Sequence, residues 1–321
     1  KQTEAFHNNS IKSLALDGNG DLLAGTDNGL YVYHNDVTPL QHIIHDSRNI
    51  QSLTNNIIWN IFADQEHNIW LGTDYGISLS RYNSALQFIP ISQITGTGDG
   101  NQFYSLFRDS KGFYWFGGAN GLIRFTDPAG ERHDAIWYRM GDKTYPLSHN
   151  RIRHIYEDKE QQLWIATDGS INRYDYATRQ FVHYNIVDST GTYNTNWTYY
   201  MFEDNAGHLW ISTCLGGIFV VDKHRLMQSA SGQYVAEQNY SVHNGLSGMF
   251  INQIIPDNEG NVWVLLYNNK GIDKINPRTR EVTKLFADEL TGEKSPNYLL
   301  CDEDGMLWVG FHGGVMRINP K

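Results

Sequence analysis

The sequence predicts an all-β fold, a seven-bladed β-propeller of four-stranded antiparallel blades whose ring is closed by an N-terminal strand. Two observations carry this prediction. An Asp is followed six residues later by a large apolar residue at Asp17–Leu23, Asp64–Trp70, Asp109–Trp115, Asp158–Trp164, Asp204–Trp210, Asp257–Trp263 and Asp302–Trp308. These anchors are spaced 47, 45, 49, 46, 53 and 45 residues apart. Self-similarity at such a period, with several short strands per copy, is the mark of propeller blades.

Each copy reads in the same order. An apolar strand precedes the Asp, as in Ile57 to Ala63 or Ile152 to Tyr156. A turn follows, with Gly three residues after the Asp at Gly20, Gly112, Gly207, Gly260 and Gly305. Glycine there takes positive φ without steric cost, and the Asp carboxylate accepts from turn amides. The second strand carries the Trp, which fills the wedge between blades. A Gly turn comes next, at Gly29, Gly76, Gly121, Gly216, Gly271 and Gly314. A third strand follows, such as Leu122 to Phe125, and a weaker fourth, such as Gln180 to Tyr184. The last copy ends at Asn319-Pro320-Lys321 without a fourth strand, while Glu4-Ala5-Phe6-His7 precedes the first. The N-terminal segment is therefore expected to complete the last blade and cover its edge.

Composition agrees. The chain has 321 residues, 30 Gly, 13% aromatic residues and only 19% charged ones, which suits short strands and tight turns. All-β chains of this length form one domain, so residues 1–321 read as a single propeller, one of a larger assembly. The net charge of −10 gives no basic footprint for nucleic acid and argues against anionic lipid. Cys214 and Cys301 are far apart and form no CxxC, so they read as two buried thiols rather than a disulfide or zinc site. No apolar run reaches membrane-spanning length, roughly 18 residues, and no signal peptide opens the chain. The abrupt start at Lys1 reads as an excised piece of something longer.

Asn55 to Thr73, NNIIWNIFADQEHNIWLGT, and Asn150 to Tyr174, NRIRHIYEDKEQQLWIATDGSINRY, resemble the two-component regulator propeller repeat. That repeat occurs in the ectodomains of hybrid two-component sensors of Bacteroidetes-type bacteria. The likeness covers essentially the whole chain, through the Asp-to-Trp offset, the apolar-Gly-Thr ending and the following Gly. Leu265-Leu266 and Gly310-Phe311 replace the Gly-Thr pair in copies six and seven, and Leu23 replaces Trp in copy one. The resemblance implies a periplasmic ligand-sensing propeller of a sensor histidine kinase that recognises glycan breakdown products. It implies as partners an oligosaccharide and a neighbouring propeller and immunoglobulin-like module of the same polypeptide, with a homodimer as a further option. It implies no enzyme in this domain, no cofactor and no metal.

The fold licenses no function by itself, so the site is argued from positions that should repeat and do not. Eight residues before the Asp stand Asn9, Asn56, Asn101, Asn150 and Asn196, whose recurrence suits turn caps. Five before it stand Lys12, Trp59, Tyr104, Arg153, Tyr199, Asn252 and Asn297, and seven before it Ser10, Ile57, Gln102, Arg151, Trp197, Phe250 and Ser295. The turns after the second strand add Asp74-Tyr75, Asn120, Asp168, Tyr267-Asn268-Asn269 and His312. Packing favours one solution repeated seven times, whereas an asymmetric ligand needs an asymmetric rim. Aromatic faces stack on sugar faces, and planar polar groups bind hydroxyls. The expected ligand-binding set is Trp59, Tyr104, Arg153, Trp197, Tyr199, Asn252, Tyr267 and His312, with aromatic plugging of the channel as the plainer account of the inner rings.

The alternative is a propeller enzyme, a lyase acting on a glycan or cyclic peptide. His154, His243 and His312 could face the channel, but no ligand spacing ties them to one metal centre. Glu157 and Glu203 adjoin the repeated Asp and read as surface or turn residues rather than a glycosidase pair. Sialidase Asp-boxes place Gly two residues after the Asp, and here it follows by three. The G-x-x-G fragments open no helix and make no phosphate loop.

Overall fold

The computed structural model describes residues 2–3, 9–34, 39–83, 88–90, 101–126, 135–144, 146–229, 233–267, 271–290 and 292–320. It is a seven-bladed β-propeller of seven small antiparallel sheets. Blade 2 is representative, with strands Ile58–Ala63, Ile69–Thr73, Gly76–Ser80 and Phe88–Pro90 paired in chain order. The first strands of blades 1, 3, 4, 5, 6 and 7 are Ile11–Leu16, Phe103–Arg108, Ile152–Glu157, Thr198–Glu203, Ile251–Pro256 and Pro296–Cys301. The chain divides into two compact units, residues 1–137 with 297–321, and residues 138–296.

The Asp-to-Trp offset has a direct physical cause. One carboxylate oxygen accepts from the amides two and four residues on, at 3.0 and 2.8 Å for Asp109 with Lys111 and Phe113. The other accepts from the indole Nε1 six residues on, at 2.8 Å from Trp70, 2.7 Å from Trp115, 2.9 Å from Trp164 and 3.0 Å from Trp263. The aspartates are turn-makers, as expected, and they also satisfy the one polar atom of a buried Trp. Trp70, Trp115, Trp164 and Trp263 are at most 1% exposed. They fill the wedges between blades: Trp70 lies 4.8 Å from Tyr114 and 5.2 Å from Phe116 of blade 3, and Trp164 packs with Met201 and Ile211 of blade 5. The second strands are accordingly buried at every position in blades 1 to 4 and 6.

Positive φ falls on the Gly three residues after the Asp in five blades, and on His67 (62°) and Gln161 (61°) where Gly is missing. The second Gly turn is corrected by one residue in two blades. The left-handed positions are Gly217 and Gly313, one to either side of the expected Gly216 and Gly314. Gly314 instead begins the third strand, Gly314–Ile318.

Two further corrections concern the strands. Blade 4 has five, because Gln233–Val235 adds in parallel to Gln180–Val187. The addition comes from the longest repeat, in which a helix, Lys223–Gln228, and this strand are inserted between Ile218–Asp222 and Gln238–Tyr240 of blade 5. An N-terminal strand does complete blade 7, but it is Gln2–Thr3, with Gln2 opposite Met316 and Thr3 opposite Val315. Glu4 to His7 lie outside the described residues.

Candidate functional site

The residues five before each Asp share an unforeseen backbone feature. In blades 1 to 6 the pairing of first and second strands slips by one residue, and the residue stepped over is Lys12, Trp59, Tyr104, Arg153, Tyr199 or Asn252. In blade 2, Ile58 faces Thr73 and Asn60 faces Gly72, leaving Trp59 without an opposite residue. Such a bulge re-aims a side chain that ordinary alternation would place elsewhere. In blades 1 to 6 the variable position is therefore the one residue of the first strand released from the ladder.

Within the first unit these residues engage one another. The Lys12 ammonium lies 4.4 Å from the Trp59 ring centre, and Trp59 meets Tyr104 edge-on at 5.6 Å. Trp59 Nε1 and Gln102 Nε2 both donate to Asp74 Oδ1, at 3.0 and 2.6 Å, and the Tyr104 hydroxyl donates to Gln102 Oε1. Asn297 donates to Ser10 Oγ at 3.0 Å, and Ser10 bridges His312 through the backbone. Trp59, Tyr104 and His312 are half-buried.

Within the second unit the pattern is charged. Arg153 donates through Nε and Nη2 to the two oxygens of Asp168, at 2.7 and 3.2 Å. Its guanidinium lies 4.5 Å from the Tyr199 ring centre, and the exposed Arg151 reaches within 3.9 Å of Asp168. Burial pushes the Tyr199 phenol up, with Arg153 pulling the other way. Tyr199 meets Phe250 at 5.3 Å, and Phe250 stacks on Tyr267 at 4.8 Å. Tyr267 is 56% exposed, Asn252 is half-buried, and Asn268 and Asn269 lie outside the described residues. Cys214 is buried, while Cys301 is only half-buried; neither forms a disulfide.

Trp197 differs from Arg153 and Tyr199 in its backbone, although its amide donates to the carbonyl of the same Asp168 at 3.0 Å. It precedes the bulge, holds φ at 55° and is 49% exposed. With Thr192, Tyr193, Asn194, Asn196, Leu215 and Gly216 it lines a cleft of about 420 Å³. The recurring Asn residues are caps in three blades. Asn56, Asn101 and Asn150 accept from the amides of His45, Asn120 and Met140 at 2.6, 3.0 and 2.7 Å.

The histidines do not converge. His154 stacks on Tyr200 at 3.7 Å and accepts from the Met201 amide, and burial pushes its imidazole down to about 3. His243 is exposed in a single 3-10 turn, Val242–Asn244. Among the described residues no three His, Cys, Asp or Glu are placed to hold a metal ion. Glu203 corrects its surface reading. It is 8% exposed and bonds Lys223 Nζ at 2.8 Å, and Asp158 lies 3.2 Å from the same ammonium. Burial alone would lower the Lys223 value, but the two carboxylates outweigh it and hold the ammonium charged. Sequence reasoning missed this cluster because the lysine comes from the blade 5 insertion.

The fold and the blade-to-blade variation of one rim define a repeat propeller with a candidate binding face. The family described as "Two component regulator propeller" matches residues 52–75, 97–120 and 146–169. Two crystal structures of the extracellular domain of BT4673 from B. thetaiotaomicron are 95% and 97% identical to the chain over 99% and 98% of its length, with TM-scores of 0.70 and 0.71. BT4673 is assigned to a one component system in the first and to a hybrid two component system in the second. The chain spans 43% and 42% of those two domains, less than half their length. The extracellular domain of BT3049 from the same organism is 22% identical over 99% of the chain and 40% of its own length, with a TM-score of 0.78. Virginiamycin B lyase from Staphylococcus aureus is 11% identical over 97% of the chain and 94% of its own length, with a TM-score of 0.71. These last two likenesses show the fold alone. No curated protein sequence matches the chain. The chain carries the two-component regulator propeller repeat in those three segments and is similar to part of the extracellular domain of a hybrid two-component system. No helix of the described residues is long and apolar enough to cross a membrane, and the relatives place such a domain outside the cell or in the periplasm.

Proposed function

We propose that the chain is a ligand-sensing, non-enzymatic propeller of a periplasmic sensor ectodomain. It recognises glycan breakdown products and signals through the remaining ectodomain, a neighbouring propeller and an immunoglobulin-like module, to a histidine kinase. The observation that carries this reading is the near-identity, over almost the whole chain, to an extracellular domain of a hybrid two component system. The geometry supports it. In each unit the residues released by the first-strand bulges differ from blade to blade, and in the second unit Arg151, Trp197 and Tyr267 stand exposed beside them.

The test uses the full sensor in a bacterium that carries it, with transcription of its target genes as readout. Arg153→Ala and Tyr267→Ala, each at unchanged protein level, should shift the response to the inducing glycan to higher concentration. A loss of one desolvated contact of roughly 1–2 kcal/mol moves the midpoint about tenfold. A normal response in both variants places the ligand outside this face.

A further inference from the structure

We propose that the cleft beside Trp197 is a subsite for an uncharged sugar ring, stacked on the exposed indole face. The proposal deepens the sensing reading and rests on it. Trp197 is a bulky residue held in left-handed backbone, at φ 55°, a conformation that persists only where the surroundings enforce it. Here they do. The Trp197 amide donates to Asp168 O at 3.0 Å, and its carbonyl accepts from Cys214 N at 3.0 Å. Among the seven equivalent positions Trp197 alone takes positive φ, while Ser10, Ile57, Gln102, Arg151, Phe250 and Ser295 all keep ordinary backbone. These bonds hold the Trp197 backbone, and its side chain stands half exposed.

The lining sets the ligand class. Leu215, 65% exposed, extends the apolar floor. Asn194 Oδ1 caps the Asn196 amide at 2.9 Å, and its Nδ2 makes no hydrogen bond among the described residues, which leaves a donor for a hydroxyl. No carboxylate, ammonium, guanidinium or imidazole lines the cleft. Its volume of about 420 Å³ falls within the usual span of small-molecule sites, roughly 300–1,000 Å³. An aromatic face with neutral amides and hydroxyls matches a sugar, which presents apolar C–H faces and equatorial hydroxyls. An acidic sugar would gain no counter-charge from this lining, and the net charge of −10 repels it.

The experiment is calorimetric titration of the chain with neutral oligosaccharides and with uronate-containing ones, read alongside tryptophan fluorescence. At least one neutral oligosaccharide should bind. Trp197→Ala should weaken it about tenfold or more, Trp197→Phe should retain part of the affinity, and melting should be unchanged because the ring is exposed. Equal binding by wild type and Trp197→Ala overturns the cleft while leaving the sensing reading intact. Binding of uronate-containing sugars alone, abolished by Arg151→Ala, overturns the uncharged class and moves the subsite to the arginine pair. No binding by any saccharide at millimolar concentration overturns the subsite, and the response of the full sensor to glycans then decides the sensing reading separately.

Discussion

The two ends of each blade are built differently. At one end the first and second strands join through the recurring Asp turn, whose carboxylate accepts from turn amides and, in the six copies that carry Trp, from an indole N–H. At the other end lie the turn after the second strand and the connection to the next blade, and there the side chains differ. Exposed large apolar residues gather at this second end. They are Ile44, Ile50 and Tyr75 in the first unit and Met140, Trp197, Leu215, Val242 and Tyr267 in the second; only Tyr82 and Val235 lie elsewhere among the described residues. The repeated end is satisfied within itself, so its chemistry is used up in folding. The variable end carries the groups that folding leaves over.

Removing the repeated end should cost most. Trp164→Ala deletes a fully buried ring and should destabilise by about 3–5 kcal/mol, read as a loss of many degrees in melting or as failure to express. Melting within a degree of wild type would break the contrast between the ends.

A comparable loss, about 3–5 kcal/mol, is expected from Lys223→Met, which leaves Glu203 and Asp158 buried without their ammonium. Adding Glu203→Gln to Lys223→Met should restore part of it, because one stranded charge is then gone. Failure of the second change to help would assign the loss to packing alone.

A smaller effect tests the layer between the ends. The His154 imidazole sits at about 3 in the folded chain against an ordinary 6.5. The unfolded chain therefore takes up this proton first. The contribution is fully present above about pH 6.5 and is lost as pH falls from there toward 3. His154→Gln should flatten the acid limb of the stability–pH curve over that window; an unchanged limb would show that other groups set it.

The least effect on folding belongs to the variable end. Leu215→Ser and Tyr267→Ala should each change stability by no more than about 0.5 kcal/mol, because 65% and 56% of these residues is exposed. A larger loss in chemical denaturation would mean that this end too is structural.

Much of the fold was legible because its signals are local. The Asp turn closes over two to six residues, so its chemistry survives in the spacing of Asp, Gly and Trp. The candidate site was legible as a set of positions and not as a set of roles. Trp59 and Arg153 share one position, yet the first donates its indole to Asp74 and the second makes a bidentate ion pair with Asp168. Neither sequence position distinguishes a ring that packs from one that waits for a ligand.

By itself the sequence determined the number of blades, their order and the turns that bound them, since each of these depends on residues within one repeat. Only the tertiary structure decided what each variable side chain does. The bulge that releases Trp59 or Arg153 is a mismatch between two strands, and the charge of Lys223 is settled by carboxylates of two other blade segments. The left-handed backbone of Trp197 and the exposure of its ring appear only in the folded chain. Pairing, burial and desolvation, which set the chemistry of a side chain, exist only once those parts of the chain have met.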